Sequence, residues 1–258
     1  MVNFMVDVIQ LIINKYIIFL LVFVRLSGIF IITPIFSRRN VPTIFKIVFT
    51  FFLTLIMINI VEFNQSQIDI YHFIIYIIRE LFLGIFIGFI MYLFFSSLYL
   101  AGKLVDMQLG FSMVNVLDPN SNIQVPITGN FFYILALLTF LVVNGHHVLI
   151  KTLLDLFNII PLGSYVIKAS IYKEILTITS NIFIIAFKLS SPILATIFIT
   201  NVILGILART MPQMNVFIVG MPLRIAIGII TLILMIPFII TFMCNLYEQI
   251  FRVFSFLK

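Results

Sequence analysis

Charged side chains are scarce: they make up 9 % of the 258 residues, while 63 % are hydrophobic. An ordinary soluble domain carries roughly a quarter charged residues. A folded body of this size lacks the polar groups to face water, so its solvent is lipid or a large apolar assembly. No stretch is polar enough for a separate soluble domain, and residues 1–258 read as one membrane domain. The single cysteine, Cys244, excludes an intrachain disulfide and a cysteine-based metal site. Tryptophan is absent, which leaves interfacial anchoring to tyrosine, and Tyr16, Tyr71, Tyr76, Tyr99, Tyr165, Tyr172 and Tyr247 fall near the ends of apolar runs. Also missing are a Gly-rich phosphate loop, HExxH, GxSxG and carboxylates paired at helical spacing. Asp106 and Asp118 are twelve residues apart in a loop and make no acid pair. An intramembrane enzyme needs a nucleophile with its base, or such a pair. No catalytic residue, cofactor or metal ligand is therefore expected.

Six apolar segments are present, over about 8–36, 47–61, 81–102, 129–143, 175–207 and 225–247. They are apolar all round rather than striped, as helices in lipid or in a buried bundle are. A span of about 30 Å of hydrocarbon needs roughly 20 such residues, so an all-α, polytopic membrane protein is expected. Asp7 and Lys15 precede a short run ended by Arg25, without a small-x-small cleavage site, so the first segment reads as a retained membrane helix rather than a signal peptide. The net charge of +6 comes from Lys and Arg scattered singly at segment boundaries, with Arg38-Arg39 the one adjacent basic pair. If all six segments span, one side holds Arg38, Arg39, Lys46, Lys103, Arg209 and Arg224, and the other Lys15, Lys151, Lys168, Lys173, Arg252 and Lys258. Six against six assigns no orientation under the positive-inside rule. Pro192, in Ser190-Ser191-Pro192, and Pro237 interrupt the fifth and sixth segments. Proline removes a backbone donor and kinks or breaks a helix. Two readings stay open: kinked spanning helices, or broken hairpins buried in an assembly or lining a path.

Ionisable residues within apolar segments are functional candidates because a charge in lipid costs several kcal/mol. Here they are Arg25, Arg79, Glu80 and Lys188. Arg25 and Lys188 either snorkel to an interface or pair across helices. Arg79 and Glu80 are neighbours that do not share a helix face, so each needs a partner of its own. Asn144-Gly145-His146-His147 has histidines about 100° apart on a helix with no acid or cysteine one turn away, and reads as a loop or helix end. Gly84-x-x-x-Gly88 fits the small-residue contact motif of packed membrane helices.

The stretch 103–130 is too long for a tight connection and too apolar for a solvent loop. Phe111, Met113, Val114, Val116 and Leu117 form an apolar block that should be buried, and Asp118-Pro119-Asn120 supplies a turn. Such a loop can close a pore by dewetting, or can re-enter and pack.

Several fragments, taken in order, carry a resemblance. They are Arg25-Leu-Ser-Gly-Ile-Phe, Thr33-Pro-Ile-Phe, Arg39-Asn-Val-Pro, Leu100-Ala-Gly-Lys, Met107-Gln-Leu-Gly-Phe-Ser, Leu117-Asp-Pro, Gln124-Val-Pro, Asn144-Gly-His and Ile160-Pro-Leu-Gly. Met211-Pro-Gln-Met-Asn-Val-Phe and Val219-Gly-Met-Pro-Leu-Arg complete the set. Their order and spacing resemble the FliR family of flagellar biosynthesis proteins, one branch of the FliR/SpaR/YscT-type export apparatus. The Arg-Asn-Val-Pro and Pro-Gln-Met-Asn stretches resemble the flagellar branch more than its injectisome relatives.

The resemblance implies a non-enzymatic core subunit of the flagellar type III export gate, in the bacterial cytoplasmic membrane at the flagellar basal body. It implies a helical hetero-oligomer with FliP and FliQ, one such subunit beside several copies of each. FlhB and FlhA-type proteins would be associated with it, and unfolded flagellar proteins would be its transient substrates. The implied fold joins a FliP-like part to a FliQ-like part through kinked hairpins. Residue by residue, the family's channel plug falls on Gly110, Phe111, Ser112, Met113, Val114, Asn115, Val116 and Leu117. The alternative from the residues themselves is a secondary transporter of a small solute, with Arg25, and Lys188 beside Pro192, near a midplane site. Against it, no inverted repeat is visible, and buried acids for an ion relay are few.

Overall fold

The computed structural model describes residues 2–37, 41–61, 63, 70–111, 126–165, 170–213 and 215–255. Among them seven helices and no strand occur: α1 (Val2–Ile32), α2 (Thr43–Met57), α3 (Ile70–Leu109), α4 (Ile127–Val142), α5 (Gly145–Ile159), α6 (Ser170–Thr210) and α7 (Val216–Ser255). The chain is an all-α, polytopic membrane protein. Asn14–Ile32, Ile70–Leu109, Ile175–Thr210 and Ile218–Gln249 are each long and apolar enough to cross a bilayer, and α4 with α5 counts as a fifth span if the bent pair is one crossing.

Prolines set many of the helix boundaries. α1 stops before Pro34, α5 before Pro161 and α6 before Pro212, because the residue ahead of a proline is pushed out of the helical region. Pro42 and Pro126 stand directly ahead of α2 and α4, where a missing N–H costs nothing because the first turn has no intrahelical acceptor for it.

Of the two readings of the interior prolines, the helices follow the kinked, continuous one. α6 runs through Pro192, and α7 through Pro222 and Pro237. Pro192 leaves the Lys188 carbonyl without its usual donor, and the Ser191 hydroxyl supplies one at 3.0 Å. Such local side-chain donors let apolar helices carry proline. A helix boundary does fall at Val143-Asn144, between α4 and α5. Asn144 takes φ 55°, a left-handed value that Asn tolerates and that ends helices. α5 is the seventh helix, which the six apolar segments did not include. Its buried residues Leu149, Leu153, Leu156 and Phe157 make a stripe beside polar Lys151 and Asp155.

The chain divides into two compact units. One comprises residues 1–92, 145–174 and 249–258, the other 93–144 and 175–248. The core of the first is built from Leu21, Val22, Leu26 and Ile29 of α1 with Leu83, Ile87, Ile90 and Met91 of α3. α1 also packs on α2, where Phe30, Phe36 and Phe49 form a ring cluster with centroids 4.7–5.4 Å apart. In the second, Phe95, Phe140 and Tyr247 gather around a common centre, with buried Phe132, Ile239 and Met243. Outside these cores the helices expose many large apolar side chains, among them Ile44, Phe52, Phe183, Phe198, Leu234 and Phe238.

Candidate functional site

Three of the charged residues singled out in the sequence meet around one turn in the first unit. Arg25 of α1 is 1 % exposed and Glu80 of α3 is fully buried. Nε and Nη2 of Arg25 donate to the two carboxylate oxygens of Glu80, the second at 3.0 Å. Nη1 and Nη2 each also donate to the Ile160 carbonyl at 3.1 Å. The guanidinium lies 4.3 Å from the centre of the Phe157 ring, a cation–π distance. Glu80 Oε1 further accepts the Gly163 N–H at 2.8 Å, and Arg79 Nη1 donates to the Gly163 carbonyl at 3.1 Å. Arg79 and Glu80 thus have separate partner atoms, as their different helix faces require, yet both reach Gly163. The residues form a polar clamp that ties α1, α3 and the 160–163 turn together.

Glycine brings the two helices close enough for this. A Cβ on Gly84 would lie 2.2 Å from the Arg25 carbonyl oxygen, and one on Gly88 2.9 Å from that of Ile29. A Cβ on Gly28 would lie 3.0 Å from the backbone N of Ile85. The Gly84-x-x-x-Gly88 motif is therefore a helix–helix contact, and its partner is the Gly28 that follows Arg25-Leu-Ser. The turn itself needs Gly163, whose φ is +72° and whose absent Cβ leaves room for the Tyr76 ring.

The second unit holds a buried carboxylate that sequence reasoning passed over. Asp106 of α3 is 3 % exposed and accepts the backbone N–H groups of Thr128, at 3.0 Å to each carboxylate oxygen, and Gly129, at 3.3 Å. Its signal was in the sequence: it is an acid three residues before the end of a helix whose stretch 81–102 carries no charge. Gly102 and Gly129 bring the backbones together, since a Cβ on Gly102 would lie 2.4 Å from the Gly129 Cα. The Tyr247 hydroxyl donates to the Ala136 carbonyl and lies 3.5 Å from the Thr139 hydroxyl.

Of the residues expected to form a plug, Gly110 ends α3 with φ +88° and Phe111 follows it, half-buried. Ser112, Met113, Val114, Asn115, Val116 and Leu117 lie outside the described residues. Lys188 is exposed on α6 beside exposed Ile184 and Phe187. His146 and His147 occupy the first turn of α5 with ring centroids 4.3 Å apart, a helix-end position. Among the described residues no group of three His, Cys, Asp or Glu side chains is placed to hold a metal ion.

Fold and site define a polytopic helical membrane protein whose buried charges are spent on holding helices and turns to one another. The family model for bacterial export proteins, family 1, matches residues 16–250, and the chain belongs to that family. It is 38 % identical over 234 residues to the flagellar biosynthetic protein FliR of Bacillus subtilis (strain 168), covering 89 % of this chain and 90 % of the relative. Identity to the flagellar biosynthetic protein FliR of Escherichia coli (strain K12) is 28 % over 231 residues, 90 % of this chain and 88 % of that one. It is 25 % over 210 residues to the surface presentation of antigens protein SpaR of Shigella flexneri, 81 % and 80 % of the two chains.

Proposed function

We propose that this chain is a component of the bacterial flagellar type III export apparatus, acting over its whole length as one core subunit of the export gate in the cytoplasmic membrane. The observation that carries this is the 38 % identity to a FliR protein along nine-tenths of both chains. In this reading it joins FliP and FliQ, with FlhB and FlhA-type proteins around them, and lines part of the channel for unfolded flagellar proteins. Gly110 to Leu117 form the plug that blocks the resting channel. The clamp supports a structural role, because Arg25, which could have faced a solute, has its charge matched by Glu80. That leaves the small-solute transporter with less support.

Native mass spectrometry of the tagged chain, co-expressed with its genomic neighbours and extracted in detergent, tests the assembly. One copy bound to several copies of two small membrane proteins is the expected result. A stable monomer or homodimer free of partners would overturn it in favour of the solute transporter. The plug has its own test: replacing Gly110–Leu117 with a short Gly-Ser linker is expected to make resting cells leak ions. Wild-type leakage in that variant would remove the plug assignment and leave the assembly reading standing.

A further inference from the structure

Two polar atoms of the second unit are enclosed by protein and have no hydrogen-bond partner: Arg224 Nε on α7 and Asn201 Oδ1 on α6. The packing of α6 on α7 puts them at one level. A Cβ on Gly220 would lie 3.2 Å from Leu204 Cδ1, and one on Gly228 3.3 Å from Ile197 Cδ1. Gly220, Arg224 and Gly228 recur every fourth residue on α7, while Ile197, Asn201 and Leu204 follow at four and three on α6, so each set lines one helix face. Arg224 and Asn201 are the middle members of two faces that meet on either side of them.

An enclosed polar atom without a bond is costly, and the guanidinium keeps its charge. Nothing in α6 or α7 near it meets that charge, because no acidic residue occurs between Glu174 and Glu248. Arg25 shows a complete set of partners: Nε and Nη2 hold the Glu80 carboxylate, and Nη1 and Nη2 a neutral oxygen, the Ile160 carbonyl. At Arg224 the Asn201 side chain offers the neutral oxygen, and the carboxylate is missing. The surroundings are apolar and uncovered, with Val202, Ile203 and Ile206 exposed on α6 and Leu223 on α7. Asn201 lies inside the charge-free stretch 189–208, eight positions and roughly 12 Å from Arg209. A snorkelling arginine carries its charge out to the headgroups, whereas the enclosed Nε keeps that of Arg224 beside α6 at this depth. A neighbouring helix can bring a carboxylate there, and a lipid phosphate cannot without leaving the headgroup layer.

We propose that the Arg224–Asn201 level of α6 and α7 is a subunit-docking site, and that its occupant is an aspartate or glutamate side chain on an apolar helix of a neighbouring subunit. This rests on the reading of the chain as one subunit of an export gate. The carboxylate takes two N–H groups of Arg224 as a fork, and Asn201 Oδ1 takes another. Val202, Ile203 and Leu223 pack against the incoming helix and keep water from the pair.

The test uses the assembly extracted from membranes with its partner subunits. Arg224→Lys exchanges the guanidinium for a primary amine, which a lipid-permeant carbodiimide joins as an amide to a carboxylate in contact with it. The expected result is a covalent adduct between this chain and a partner subunit, mapped by peptide mass spectrometry to position 224 and to an aspartate or glutamate of the partner. Arg224→Met is expected to lower recovery of partner subunits, per amount of chain in the membrane, by about tenfold or more. Arg209→Met, exposed at the end of α6, should leave that recovery unchanged. No adduct in an assembled Arg224→Lys complex, or an adduct to a carboxylate of this chain itself, would overturn the docking site. So would full subunit recovery in Arg224→Met with loss of co-purifying anionic phospholipid, which would assign the arginine to a headgroup. A wild-type chain that binds no partner subunit would remove the gate reading and the docking site together, whereas bound partners without an adduct remove the docking site alone. Should Arg224→Lys fail to assemble, Asn201→Asp decides: it sets a carboxylate of the chain itself at the level of Arg224, in competition with the partner's. Partner recovery should then fall about tenfold, and recovery equal to wild type would overturn the proposal.

Discussion

Removing one half of the Arg25–Glu80 pair should be far more damaging than removing both. Arg25→Met takes away two donors to the carboxylate, two to the Ile160 carbonyl, and the cation over Phe157. Glu80 is then a fully buried anion whose remaining bond is to the Gly163 N–H. Breaking a buried pair in this way costs about 3–5 kcal/mol, whereas replacing both partners by apolar side chains of similar volume is often close to neutral. Arg25→Met and Glu80→Met are therefore each expected to lose about 3–5 kcal/mol, and the double variant clearly less than their sum, a coupling of about 2 kcal/mol or more. Thermal unfolding of the detergent-extracted assembly reads this out. At about 2–4 °C per kcal/mol for a chain of this size, each single variant should melt roughly 6–20 °C lower, with the double variant recovering much of the loss. Single variants that each shift by under about 2 °C, with a double variant equal to their sum, would refute the claim that the two charges are desolvated against each other.

Two further outcomes follow from the same contacts. Gly84→Ala places a methyl group 2.2 Å from the Arg25 carbonyl oxygen, and overpacking of this kind costs about 1–3 kcal/mol; lowered melting and reduced recovery of the assembly are expected, while Gly205→Ala, in open space on α6, should leave both unchanged. Tyr247→Phe keeps the ring against Phe95 and Phe140 and removes only the hydroxyl that donates to the Ala136 carbonyl, so a loss of about 1 kcal/mol is expected, measured by the same melting curves.

The membrane class and the helix count to within one could be read from the chain, because runs without charge leave few alternatives. α5 escaped because it is striped rather than apolar all round: Leu149, Leu153, Leu156 and Phe157 bury one face, while His147, Lys151 and Asp155 keep the other polar. A search for uniformly apolar windows passes over such a helix, and a search at helical spacing would find it. The prolines left kink and break both open: α6 continues through Pro192, where Ser191 donates to the freed carbonyl, and the left-handed residue that ends α4 is Asn144. At the candidate site, the charges themselves were legible as residues that lipid would not tolerate. Their pairing was not, because Arg25 and Glu80 are 55 positions apart and the turn they hold lies 80 positions further on. Asp106 was set aside as one half of a missing acid pair, when the partners a buried carboxylate most needs here are backbone N–H groups, which leave no mark in a sequence.

Helix length bears on why such a chain would need partners. α3, α6 and α7 run for 40, 41 and 40 residues, roughly 60 Å each at 1.5 Å per residue. Within them the charge-free stretches are 81–102, 189–208 and 225–247, each roughly 30–35 Å of helix and so about one hydrocarbon thickness. A bilayer can cover those stretches and little more. Beyond them α3 still exposes Ile70, Tyr71, Ile74 and Ile78, and α6 exposes Phe183 and Phe187. Apolar surface of that extent next to water marks a protein contact. Lipid over the central stretches and neighbouring subunits over the apolar ends is the arrangement that leaves none of it in water, and the export gate proposed above would supply both.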